Sequence, residues 1–371
     1  MIPLPLHLSH AADAADGGIA TAVQALIAAQ HAIALDPIWL TSDHFPPLCR
    51  DLSLRRAVLA AAPQLLHLHG LWRSPTRIAA RLATAELPLV IAPHGMLDPG
   101  ALAISRRKKQ IVWHLWERGA LEASRCLHAL CTAEARAIRA VLPRMPIAVI
   151  PNGVHLPQAS EASTGAAPPW DGVIPAGEPV LLFLGRFHRK KGLDPLLSAW
   201  QAVATAAERH RFWLALVGYG DEGALAQRVA EAQGRGELQR LRVFGPAFGA
   251  QKAAALAAAT AFVLPSFSEG LPMAALEAMA HQLPCLLSEA CNLPEAYAAG
   301  AAIFSEPDPA TLAVALEHCF RLSVHERVAM GSAGQALVRE RFSWPHVAAQ
   351  TRELYAWVLG GGAPPAFVEL G

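Results

Sequence analysis

Short apolar runs alternate with Ala-rich stretches of helical period along the whole chain. That alternation predicts strand–helix–strand units, and therefore parallel sheets covered by helices. In the first half, Ile2–Leu8 opens as a strand whose prolines suit an edge position better than a central one. Gly17 and Gly18 then start a helix reaching about Ala29, and further strands are expected at Ile38–Thr41, Leu65–Leu68, Leu89–Ala92, Leu127–Leu130 and Ala148–Ile150. The pattern breaks over Leu156–Glu178, where prolines mix with Gly, Ser and Ala, as in a linker or a loop beside one. It restarts with Val180–Leu184, Phe212–Val217, Leu241–Phe244, Ala261–Leu264, Cys285–Leu287 and Ala301–Phe304. A helical tail broken at Phe342–Pro345 runs to about Leu359, and the Gly/Pro-rich end reads as frayed.

This organisation predicts four segments: an N-terminal domain over 1–160, a linker over 161–178, a second domain over 179–342, and a tail over 343–371. Composition agrees with two cores, because 371 residues with 53% hydrophobic content exceed what a single core usually holds. A formal net charge of +1 gives no overall field for nucleic acid, which would need a local basic patch. The six cysteines include no C-x-x-C pair, so they read as reduced core thiols of a cytoplasmic protein rather than zinc ligands. The N-terminus lacks the basic start and apolar run of a signal peptide, and no run of about 18 apolar residues suggests a membrane span. Two doubly wound domains facing each other would form a cleft at the carboxyl ends of their strands, where such folds take ligands.

Two stretches carry chemistry. Gly185-Arg186-Phe187-His188-Arg189-Lys190-Lys191-Gly192 follows a strand and precedes a helix. Arg186 offers a planar fork for phosphate oxygens and Lys191 a compact charge, a pairing suited to a departing diphosphate. A solvated basic turn is the competing reading. The second stretch, Glu269-Gly270-Leu271-Pro272-Met273-Ala274-Ala275-Leu276-Glu277, places Pro272 where a helix would begin. Gly270 and Leu271 then bring backbone N–H groups to a helix N-terminus, an anion site. Glu277 stands among Ala, Leu and Met, and a buried acid there needs a partner such as a ribose diol. An ion-paired helix carboxylate is the alternative.

Arg-x4-Lys-Gly followed by Glu-x7-Glu resembles the retaining GT-B glycosyltransferases of family 4, the group 1 glycosyltransferases, and the likeness spans nearly the whole chain. Ile150–Val154, the Gly218 turn in Val217–Gly220, and Gly245 in Val243–Pro246 are similar to further family segments in the same order. The resemblance implies an α/β fold of GT-B type, with two Rossmann-like doubly wound domains facing a central cleft. It implies a metal-independent, retaining transfer of a hexose-type sugar from a nucleoside diphosphate sugar, of unknown base, to a hydroxyl acceptor. No other cofactor is implied. It assigns Arg186 and Lys191 to the diphosphate, Glu277 to the ribose and Glu269 to hydroxyls of the transferred sugar. Backbone groups of Gly270, Leu271, Pro272 and Met273 complete the donor contacts, and the tail returns to the N-terminal domain.

In the N-terminal half the resemblance places Gly17 and Gly18 in a glycine loop near phosphates and acceptor, and His94 beside the donor sugar. His94 would orient a hydroxyl or stabilise ring charge through its carbonyl; a loop histidine bonded to backbone is the alternative. His69 also ends a strand, where it meets the acceptor or serves structure. Asp13, Asp16 and Asp98 form no metal-binding pair. The basic run Ser105–Lys109 before Ile111–Trp116 fits contact with an anionic membrane or an acceptor-lining role with the tryptophans in the core. Family habit suggests a saccharide or lipid-linked acceptor, cell-surface polysaccharide or lipopolysaccharide synthesis, and a place at the inner face of the cytoplasmic membrane. Rival readings are an epimerase or phosphorylase on the same plan, or a non-catalytic nucleotide-sugar-binding subunit. An NAD enzyme is disfavoured, since the one G-x-G-x-x-G turn, Gly218–Gly223, falls within the ordered set of segments that resembles the glycosyltransferases.

Overall fold

The computed structural model describes residues 4–13, 18–157 and 165–371, and the chain divides into two compact units. One comprises residues 1–153 with 344–371, the other Val154–Ser343.

In the first unit, β1 (Pro5–Ser9), β2 (Ile38–Thr41), β3 (Leu65–His69), β4 (Leu89–Ala92), β5 (Cys126–Ala129), β6 (Ile147–Val149) and β13 (Val368–Glu369) form one sheet. Its order is β13-β6-β5-β4-β3-β1-β2, parallel except for β13 on β6. The expectation that the first strand is an edge is corrected. β1 pairs with both β2 and β3, because Pro5 is its first residue, where a missing N–H breaks no ladder. The end of the chain is likewise not frayed. Val368 and Glu369 close the far edge, and the Val149 N–H donates to the Phe367 carbonyl at 2.9 Å.

Side chains alternate between the two faces of this sheet. Leu6, Leu8, Leu66, Leu68 and Leu127 join one apolar cluster; Leu65, Val90 and Cys126 join another, with Trp344, Leu354 and Tyr355 of the C-terminal helix Trp344–Gly360. That second face is also the one that His7, His67, His69 and His128 occupy by strand alternation.

The second unit holds β7 (Val180–Phe187), β8 (Trp213–Gly220), β9 (Leu241–Phe244), β10 (Ala261–Leu264), β11 (Cys285–Leu287) and β12 (Ala302–Phe304), ordered β12-β11-β10-β7-β8-β9 and parallel throughout. The segment read as linker contributes to this unit: Trp170 and Ile174 are buried in its core. Glu178, just before β7, is gripped at the amino ends of three neighbouring strands by Arg211 at 2.8 Å, Arg240 at 2.6 Å and the Trp213 indole at 2.5 Å. These partners hold its carboxyl down to about 2. β7 and β8 run further than the apolar pattern suggests. A Cβ on Gly218 would lie 1.9 Å from the Gly185 carbonyl, so the glycine permits the close pairing that extends both strands.

Candidate active site

In each sheet the chain winds outward from a central strand and then crosses to its other side. In the second unit that reversal lies between β7 and β10, the place where doubly wound folds leave a crevice. Arg186 is on β7 and Gly218 on β8, Gly245 follows β9, and the stretch ending in Glu269 follows β10. All are at carboxyl ends of neighbouring strands. The two charged loops are docked on one another: the Phe267 N–H donates to the Lys190 carbonyl at 2.7 Å. Gly192 has φ +69°, and a Cβ there would lie 1.9 Å from the Pro265 carbonyl, so both backbone sign and space demand glycine.

Within this crevice the Lys191 ammonium sits 2.7 Å from Glu269 Oε1. Ser266 Oγ donates to the same oxygen, and Asn292 Nδ2 donates to the Glu269 carbonyl at 2.6 Å. Arg186 is exposed, rests its guanidinium 5.8 Å from the Tyr219 ring centre, and makes no ion pair among the described residues. Its N–H fork is therefore available to an anion. Pro272 is the N-cap of helix Met273–Ala280 rather than its first residue; the Met273 N–H bonds back to the Leu271 carbonyl at 3.0 Å, while a Cβ on Gly270 would meet open space.

Glu277 has a partner that the sequence reading missed. Lys252, on helix Gly249–Ala258, places its ammonium 2.7 Å from Glu277 Oε1. The signal was present, because Lys252 is a lone cation among alanines just as Glu277 is a lone acid. Ser266 and Asn292, which fix Glu269, were missed too.

In the first unit Gly17 lies outside the described residues, and Gly18 begins helix Gly18–Ala32 with open space around it. His94 follows β4 with φ 53°, and Gly95 continues at φ 74°. Buried Glu134 holds that loop, accepting from the Gly95 N–H at 2.5 Å and the Leu130 N–H at 2.8 Å, while burial pushes its carboxyl up to about 7. His94 Nε2 is 3.1 Å from His69 Nδ1, and His69 Nε2 is 2.8 Å from His7 Nδ1. His69 is thus buried with both nitrogens engaged inside the unit and stands behind His94, the structural one of the two roles open to it. Burial draws His94 down to about 3, so its ring is neutral.

Nearby, a cavity of about 390 Å³ is lined by Trp72, Leu102, Arg106, Lys109, Trp113 and Val141. Lys109 turns inward, donating to the Ala101 carbonyl at 2.6 Å and lying 5.4 Å from the Trp72 ring centre. The next segment, Trp113–Glu117, is one π-helical turn, a form frequent at functional sites. It buries Glu117 completely, and burial raises that carboxyl to about 7. Trp113 and Trp116 are half-buried, so Ile104, Ile111 and Leu115 are the exposed apolar side chains beside exposed Arg106, Arg107 and Lys108.

Comparison with known proteins matches this geometry to a family. Residues 178–321 match the model of "Glycosyl transferases group 1" and residues 38–153 that of "Glycosyl transferase 4-like domain". The chain is similar to the alpha-maltose-1-phosphate synthase of Mycobacterium tuberculosis, at 30% identity over 338 residues, covering 83% of this chain and 82% of that protein. Among solved structures, sucrose-phosphate synthase from Thermosynechococcus elongatus aligns with a TM-score of 0.71 at 20% identity, over 97% of this chain and all of that one. An Anabaena protein solved with UDP-glucose aligns at 0.69 and 17% identity, over 95% and 99%. Fold, motif order and family match coincide: the chain belongs to the group 1, family 4-like glycosyltransferases of GT-B fold, enzymes that move a sugar from a nucleotide-sugar donor.

Proposed function

We propose that the enzyme is a metal-independent, retaining hexosyltransferase whose donor is a nucleoside diphosphate hexose held by the unit Val154–Ser343. The observation that carries this reading is the packed pair of loops bringing Arg186, Lys191 and Glu269 to one strand-end crevice. Arg186 and Lys191 neutralise the charge that develops on the departing diphosphate, a task a divalent ion performs in other designs. Both bonds to the Glu269 carboxylate fall on Oε1, so Oε2 is the oxygen assigned to a hydroxyl of the transferred sugar. Glu277, steadied by Lys252, takes the ribose; the backbone from Gly270 to Met273, with Gly218 and Gly245, lines the nucleotide. His94 orients a sugar hydroxyl.

The unit formed by 1–153 and 344–371 receives the acceptor, a saccharide or lipid-linked saccharide of cell-surface polysaccharide or lipopolysaccharide synthesis. The cavity beside Trp72 and Lys109 supports this, joining an apolar wall to a cation. Exposed Ile104, Ile111 and Leu115 beside Arg106–Lys108 support peripheral contact with the cytoplasmic face of an anionic membrane. No helix among the described residues is long and apolar enough to cross one.

The test is a panel of nucleoside diphosphates and their sugars, with UDP-glucose first because an Anabaena structural relative holds it. Ligand that binds the folded chain raises its melting temperature by mass action. Product analysis with EDTA present then follows the new linkage. Free nucleoside diphosphate and an anomer of unchanged configuration are expected; an epimerised sugar nucleotide, or binding without turnover, overturns the reading. Salt-sensitive sedimentation with anionic liposomes tests the membrane contact, and its absence at low salt removes it.

A further inference from the structure

Behind His94 lies a chain of polar side chains crossing the apolar face of the first sheet. His94 Nε2 meets His69 Nδ1 at 3.1 Å, and His69 Nε2 meets His7 Nδ1 at 2.8 Å. His7 Nε2 meets Gln30 Oε1 at 2.8 Å, and Gln30 Nε2 donates to the Tyr355 hydroxyl at 3.2 Å and to Thr351 Oγ1 at 3.3 Å. The Tyr355 hydroxyl meets His67 Nδ1 at 2.7 Å, His67 Nε2 meets His128 Nδ1 at 3.2 Å, and His128 Nε2 ends on the Ile150 carbonyl at 2.8 Å. His7, His67, His69 and His128 are buried, Gln30 and Tyr355 are wholly inaccessible, and His94 is the member that is partly exposed.

The direction of every bond follows from the last. A carbonyl oxygen only accepts, so His128 carries its proton on Nε2. All five rings are neutral: burial draws His7 and His128 down to about 4, His94 to about 3, and His67 and His69 well below the ordinary histidine value. A neutral ring has one N–H, so His128 Nδ1 is bare and accepts from His67 Nε2–H. His67 Nδ1 is then bare and accepts the Tyr355 O–H; the Tyr355 oxygen accepts from the Gln30 amide N–H. That orients Gln30 Oε1 toward His7, which must donate from Nε2. His7 Nδ1 accepts from His69 Nε2–H, and His69 Nδ1 from His94 Nε2–H. Nothing is left unmatched until His94 Nδ1.

We propose that His69, His7, Gln30, Tyr355, His67 and His128 are positioning residues, forming a one-directional hydrogen-bond chain that fixes His94 as the Nε2–H tautomer with Nδ1 the bare acceptor. Ligand atoms of His7, His67 and His69 lie within 4.8 Å of one another, a spacing a metal ion could use. All six of their ring nitrogens are nevertheless matched in the chain, and an ion would have to break it. The use of the Nδ1 lone pair, accepting from a sugar hydroxyl, rests on the function proposed above; the tautomer itself does not.

The test is nitrogen-15 NMR of the full chain labelled at its histidine imidazoles, with His94 assigned by His94→Gln. In the wild type, His94 is expected as one tautomer, Nε2 protonated, in at least about tenfold excess, because each reversed link would strand a buried donor or acceptor. Tyr355→Phe removes one oxygen far from His94 and frees the Gln30 amide to turn over. A mixture of both His94 tautomers is the expected result. Thr351→Val touches only a side branch and is expected to leave the tautomer as in the wild type. Should Tyr355→Phe fail to fold, Gln30→Met is expected to give the same mixture. A wild-type His94 protonated on Nδ1, or an unchanged tautomer in the folded Tyr355→Phe or Gln30→Met variant, overturns the proposal.

Discussion

The two sheets reverse their winding in the same way but fill the reversal with opposite chemistry. In the second unit the gap between β7 and β10 holds full charges at the surface: Lys191, 24% exposed, against Glu269, with Arg186 open beside them. In the first, the gap between β1 and β3 is flanked by His7, His67 and His69, buried and neutral. A diphosphate calls for fixed cations that keep their charge, which needs partial solvation and a paired acid. A neutral hydrogen-bonding group calls for burial, which suppresses protonation and leaves one tautomer. The same topology thus supplies a charge site and a proton-placement site.

The largest effect expected from this contrast is on acid stability. For a group whose folded pKa is depressed from above, as in these histidines, the unfolded chain takes up protons that the native state refuses. Stability is therefore complete above pH 6.5 and is lost as pH falls toward 4. Glu117 and Glu134, raised to about 7, act oppositely, since their native forms hold protons that the unfolded chain releases above 4.5. Five lowered histidines outweigh two raised glutamates, so unfolding takes up protons on balance and the stability of this unit falls as pH drops from 6.5 toward 4.5. Among the described residues the second unit buries no histidine; its Glu178 loses stabilisation only as pH falls from 4.5 toward 2. Urea unfolding across this range, localised by hydrogen exchange, should show residues 1–153 with 344–371 failing first. Simultaneous loss of both units would break the contrast.

Next in size is catalysis. Lys191→Ala removes a preorganised charge and leaves Glu269 unpaired, and turnover is expected to fall on the order of 10²–10³-fold with the fold intact. Arg186→Ala should match it in turnover while leaving stability nearly unchanged, because Arg186 has only the Tyr219 ring as its described contact. Steady-state kinetics beside thermal melting check both. Near-normal kcat in the two variants would detach the charge site from function.

A smaller effect concerns the amino ends of the second sheet. Glu178→Ala strips three donors of their shared acceptor, and a loss of about 1–3 kcal/mol is expected without change in KM. This separates a structural charge cluster from the proposed donor site at the other end of the same strands.

How much of this could be read beforehand depended on whether the information was local. Strands such as Ile38–Thr41, Leu89–Ala92, Leu241–Phe244 and Ala261–Leu264 were legible to the residue, since they are apolar runs between turn formers. Val368–Glu369 was not, because a two-residue edge strand exists only through β6. Lys191 and Glu269 were legible as motif members, yet their 2.7 Å contact depends on β10 crossing to the far side of β7, which no local pattern states. The histidine chain left a trace, a histidine inside each apolar run of β1, β3 and β5. Gln30 and Tyr355, which set its direction, come from helices far apart in sequence, and only packing brings them together.

The smallest effect tests whether Lys252 belongs to the charge site or merely borders it. Its pair with Glu277 is partly solvated, with side chains 34% and 27% exposed, so the ion pair contributes at most about 1 kcal/mol. If the role of Lys252 is to hold Glu277 toward a ribose, that contact is equal in the ground and transition states. Lys252→Met should then raise donor KM by up to about fivefold and leave kcat unchanged, the mark of uniform binding lost. A drop in kcat would instead place Lys252 with Arg186 and Lys191, among the charges that act as the diphosphate departs. An unchanged KM would leave Glu277 held by its helix alone.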